Sequence, residues 1–128
     1  MRFQIFAATA AAAMIATSAF AQAPAMPDMD EAVAAANNQL GVLEYCAAEG
    51  HIESTAVEVQ ERLLQVLPPA SDPTAVEAAY AAGKEGTIAV SGTEMSLADA
   101  ATGQGTDVAA LCQQLGSMVE QAGASLPN

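Results

Sequence analysis

The sequence has no tryptophan, one histidine, two cysteines and only three basic residues in 128 positions. Each shortage removes a class of function. Three basic side chains stand against 15 carboxylates, giving a formal charge of −12 at pH 7. Nothing in such a chain neutralises a phosphate backbone, so no nucleic acid is expected as a partner. The same balance disfavours anionic membrane surfaces. With His51 alone and no Ser or Thr set apart by a motif, no nucleophile–base–orienter set can be assembled. That points away from an enzyme, with no catalytic residue and no cofactor expected. Long apolar runs are missing beyond residue 21. The longest uncharged stretches there, Ala32 to Leu43 and Val108 to Val119, fall short of the roughly 20 residues that span a bilayer.

What precedes them is a secretory signal by its pattern. Arg2 supplies the positive start, Phe3 to Ile15 are mostly apolar, and Ala19-Phe20-Ala21 is a small-x-small cleavage site. Cleavage is expected between Ala21 and Gln22, which places the mature protein in the periplasm or outside the cell. Losing residues 1–21 removes Arg2 and all three Phe. Arg62 and Lys84 are then the only basic side chains, and Tyr45 and Tyr80 the only aromatics. Residues 22–27, with Pro24 and Pro27, read as a disordered arm. Residues 28–128 read as a single helical domain.

That domain has little bulk to bury, because much of its apolar content is alanine. A covalent staple suits it. Cys46 and Cys112 are the only cysteines, and an exported chain meets an oxidising compartment where pairing is the default. Their wide separation lacks the short spacing of zinc ligands, and neither has a basic neighbour to favour a thiolate. A Cys46–Cys112 disulfide is therefore expected. In the chain-entropy model, closing a loop of this size contributes about 4.4 kcal/mol.

Helices and their punctuation fill the rest. Asp28, three residues before Glu31, caps a first helix whose stripe is Val33, Ala36, Leu40, Leu43 and Ala47, with Cys46 at its border and Gly50 as its stop. Thr55 and Glu58 read as a capping box for a second, with Val59, Leu63, Val66 and Leu67 inward and Pro68-Pro69 as the stop. Asp72-Pro73 opens a third, carrying Val76, Ala79 and Tyr80 and ending at Gly83 or Gly86. Ser96 caps a short fourth from Leu97 to Ala101. Gly103 and Gly105 break the chain, and Thr106 opens a fifth with Val108, Leu111, Cys112, Leu115, Val119 and Ala122 on one face. Thr87-Ile88-Ala89-Val90 is ambiguous by periodicity. A single strand without a partner is unstable, so helix or loop is expected there. The sum is an all-α bundle of four to five short helices, stapled from first to last.

Two polar features compete with bland alternatives. His51, with Glu49 and Glu53, offers a metal site, but a lone His in a connector is more commonly a solvated residue, and no metal is expected. The carboxylates fall mostly on outward helical positions and form an anionic coat that favours solubility. Near pH 4 such a coat loses its charge, which gives it a second use as an acid sensor.

Several short motifs resemble a family of small exported bacterial proteins, the pore-forming ESAT-like family. These are Gln39-Leu40-Gly41 before Glu44-Tyr45-Cys46, Gly50-His51 before Thr55-Ala56-Val57-Glu58, Gly86-Thr87, and Gly105-Thr106 to Ala110-Leu111-Cys112. The resemblance implies a secreted helical protein that self-associates and perturbs membranes. The Trp-x-Gly turn of the ESAT antigens is absent. In architecture the chain is also similar to acid-stress chaperones of the HdeA type, which are small, exported, helical and stapled by one disulfide. The expected partners are thus proteins or a second copy of the chain, with membrane interaction implied by the family and opposed by the charge.

Overall fold

The computed structural model describes residues 28–127. The expected secretory signal, its expected cut after Ala21 and the expected arm at 22–27 lie outside the described residues. Five helices and one hairpin follow in order: α1 (Met29–Ala48), α2 (Thr55–Gln65), α3 (Pro73–Lys84), β1 (Thr87–Val90), β2 (Thr93–Ser96), α4 (Leu97–Gly103) and α5 (Val108–Gly123). The chain is mostly helical, and the hairpin corrects the all-α expectation.

Local chemistry places most helix starts. The Asp28 carboxylate accepts from the Asp30 N–H, Asp72 from those of Thr74 and Ala75, and Ser96 from that of Asp99. Two starts differ from expectation. Asp107, not Thr106, caps α5, because its carboxylate reaches the Ala110 N–H at 2.8 Å. Ser54 occupies the cap position of α2 without a side-chain bond, and Thr55 is already helical, so the expected box does not form.

The run at 87–90 is a strand because it has a partner. β1 pairs antiparallel with β2 in the register Thr87↔Ser96, Ile88↔Met95, Ala89↔Glu94 and Val90↔Thr93. Ser91 and Gly92 join them with φ of 52° and 74°. Two consecutive left-handed residues make the tight turn whose twist matches paired strands, and glycine takes that conformation without strain.

The staple is in place. Cys46 and Cys112 are bonded with Cα atoms 5.6 Å apart, and both are fully buried. Around them pack Val42, Leu97, Ala101 and Leu111, while Leu43, Ala56, Val59 and Val119 form a second cluster. Each large side chain fully covered there contributes roughly 1.5–3 kcal/mol. Both clusters draw on α1, which lies centrally. For that reason α1 shows no single stripe: Asn38, Gly41 and Val42 are buried alongside Val33, Leu43 and Cys46. Helix edges are less covered than the stripes implied. Val66 is 67 % exposed, and Ala122 is exposed as well.

Against α3, α1 approaches backbone to backbone. A methyl group added at Gly41 would collide with the Tyr80 carbonyl and the Lys84 N–H, and one at Gly83 with the Asn38 carbonyl and the Val42 N–H. Only glycine admits this approach.

Candidate functional site

The hairpin stands edge-on against α1, and one side chain fixes it there. Asn38 is 2 % exposed. Its Nδ2 donates to the Ala79 carbonyl at 2.8 Å and to the Thr87 carbonyl at 2.9 Å, while its Oδ1 accepts from the Ala89 N–H at 2.9 Å. The amide thus occupies the place of a third strand, exchanging a donor and an acceptor with the outer edge of β1. It also ties α3 to both. Gln60, equally buried, donates to the Ala36 carbonyl at 2.8 Å and locks α2 to α1. Buried amides are stable only when satisfied in this way.

A polar clip closes the far end of the α1–α3 seam. The Tyr80 hydroxyl donates to the Glu44 carboxylate at 2.7 Å. Lys84 reaches the same carboxylate at 4.0 Å and lies 5.4 Å above the Tyr80 ring. The Glu44 bond, helped by burial, holds the Tyr80 phenol above its ordinary range, because a phenolate would lose that bond and face a like charge. Arg62, the other described basic residue, lies apart on α2 beside Val66 and Leu126.

Two open grooves flank the hairpin. The first, about 330 Å³, lies between α1 and β1 and is lined by Ala32, Ala36, Gln39, Val42, Ile88 and Val90. Its lining is mainly apolar, with Asn38 and Gln39 the polar members. The second lies on the opposite side, over the α1–α3 seam. It has a floor of Ala34, Ala35, Ala75, Ala78 and Ala79, with Glu31 and Glu94 among its lining residues. On the hairpin face of the first groove, Val90 and Met95 are about half exposed. This is the candidate site: a shallow surface with an apolar groove on one side of the hairpin and an alanine-floored groove bordered by two carboxylates on the other.

The sequence-derived candidates fall elsewhere. Cys46 and Cys112 are together but sealed in the core, where they act as a staple. His51 sits half-buried in the α1–α2 connector, its backbone N–H donating to the Cys46 carbonyl at 2.9 Å. Glu49 and Glu53 are exposed on either side of it. Among the described residues, no group of three or more His, Cys, Asp or Glu side chains is arranged to hold a metal. No described helix is long and apolar enough to cross a membrane. Sequence reasoning overlooked the groove residues Ile88 and Val90 and the whole of β2. The Ser91-Gly92 pair after an apolar run was the available signal.

Compared with known proteins, the chain matches no family model, no curated protein and no solved structure.

Proposed function

We propose that this is an exported, non-enzymatic protein that acts by binding another protein or a second copy of itself. The observation that carries the reading is the open apolar surface around the hairpin. Val90 and Met95 are exposed together on the hairpin face that borders the apolar groove, whereas the other exposed large apolar side chains, Met29, Val66 and Met118, are scattered singly over α1, the end of α2 and α5. Exposed apolar residues that share one face mark contact surfaces more often than isolated ones do. The buried disulfide suits an oxidising compartment, which supports export. The pore-forming ESAT-like resemblance adds self-association and membrane action to this reading; the acidic surface opposes the membrane part.

The test is cross-linking and affinity capture from the native envelope with the mature, oxidised chain as bait. A specific partner, or a defined oligomer, should be lost with a Val90→Asp, Met95→Asp variant that keeps the wild-type circular dichroism. Capture unchanged by those substitutions would move the contact surface elsewhere. Dye release from vesicles at neutral pH should be absent; release would instead give the pore-forming resemblance a mechanism. Acidification of the purified protein should expose little apolar surface to a dye. Marked exposure would favour a chaperone of the HdeA type.

A further inference from the structure

The two edges of the hairpin are treated differently. On the outer edge of β1, Asn38 takes the Thr87 carbonyl and the Ala89 N–H, whereas among the described residues nothing pairs with the outer edge of β2. Thr93, Glu94 and Met95 are all exposed. The ladder alternation says which groups are free. Leu97 N–H donates to the Gly86 carbonyl at 2.9 Å. Counting inward by twos, Ile88↔Met95 and Val90↔Thr93 are the pairs bonded within the hairpin. The N–H and C=O of Glu94 therefore point away from β1, ready for another strand.

The faces of that edge are also distinct. Ile88, Val90, Thr93 and Met95 share one face, since cross-strand partners and residues two apart point the same way. Ala89 and Glu94 share the other, above the alanine floor of the second groove, where Glu31 is the second carboxylate. Neither Arg62 nor Lys84 lines that groove, and the chain as a whole carries −12. A second copy fits this edge poorly. Two-fold pairing centred on Glu94 sets it directly opposite its own counterpart, and opposed like charges destabilise a ladder.

We infer that β2 is the docking edge for an extended partner segment with an apolar–basic–apolar sequence, added as a third strand opposite Glu94. The inference rests on the protein-interaction reading above and names its surface and the chemistry of its partner. The central residue of the segment exchanges both main-chain hydrogen bonds with Glu94, and its cation lies on the face of Glu94 and Glu31. The flanking apolar residues lie on the opposite face, beside Thr93 and Met95. Main-chain bonds supply affinity, alternation supplies register, and the acidic surface speeds encounter with a cationic segment.

The test uses isotope-labelled mature protein and two blocked peptides, Thr-Val-Lys-Val-Thr and Thr-Val-Glu-Val-Thr, followed by amide chemical shifts at low salt. The lysine peptide should bind about fivefold tighter than the glutamate peptide, the ratio expected for opposite against like charge across a strand pair. Its shifts should centre on Glu94 and Met95. E94K, an exposed change that leaves the fold intact, should reverse the preference. Equal binding of the two peptides, shifts centred away from β2, or no binding of the lysine peptide at millimolar concentration would each overturn the inference. So would β2 shifts that grow with protein concentration alone, which would assign the edge to a second copy. If E94K still captures a native partner that the Val90→Asp, Met95→Asp variant loses, the edge assignment fails and the broader reading stands.

Discussion

Where α1 meets α5, the protein is held by a disulfide and by covered apolar side chains. Where the same helix meets α3 and β1, it is held by glycine contacts and a buried amide. The first region joins Cys46 and Val42 to Leu111 and Cys112. The second joins Gly41 to Gly83 and Asn38 to three backbone groups. Both answer the same shortage of bulky residues. One adds a covalent bond to a small core; the other removes side chains so that backbones touch and then satisfies the polar groups enclosed. The consequence is a difference in tolerance. Side-chain packing relaxes around a change, whereas backbone contact and a satisfied amide have little room to adjust.

The sharpest way to break the comparison is to remove the staple. Replacing Cys46 and Cys112 together with Ala should cost about 4.4 kcal/mol, by the chain-entropy model, measured as a drop in denaturation midpoint. Thiol labelling of the denatured, unreduced wild type should find no free cysteine; two free thiols would refute the bond. Asn38→Ala comes next. It strips Ala79, Thr87 and Ala89 of their partner in a buried place and should cost about 3 kcal/mol. Amide exchange should accelerate at Ala89 first, while the α5 side stays protected. Gly83→Ala should cost about 2 kcal/mol, because the added methyl group meets backbone that cannot move aside.

A smaller effect concerns alkali. The Tyr80 phenol has its pKa raised above the ordinary 10.0, chiefly by the bond to Glu44. Its protonated form is therefore favoured by folding. That contribution is fully present below the ordinary value and is lost as pH rises through the raised one. Phenolate absorbance should show a late-titrating group in the wild type that Tyr80→Phe removes. Tyr80→Phe should also flatten the decline of melting temperature across the same alkaline range.

Much of the helical architecture was legible because caps are local. Asp28, Asp72 and Ser96 announce their helices within three residues, and the cysteine pairing was expected from their number and the export signal read in the sequence. Thr55 and Thr106 misled for a related reason: several neighbouring side chains compete for one cap position, and Asp107 reaches its N–H better than Thr106 does. β2 was invisible because Thr-Glu-Met-Ser has no buried face to impose alternation; all but Ser96 are exposed. Asn38 was invisible because its partners lie 41, 49 and 51 residues away. The candidate site inherits both blind spots, since its grooves flank a hairpin made with that strand and seated by Asn38. The apolar run at 87–90 and the Ser91-Gly92 pair after it were the signals that pointed to it.

Both sulfurs of the staple are shut away from solvent, Cys46 and Cys112 each being 0 % exposed. A reductant must bring a thiolate into line with one of them, so the closed molecule offers no target. Reduction is thereby held to the pace at which the fold opens. The rate at which the protein yields to a strong reductant becomes a clock for the opening of α1 from α5.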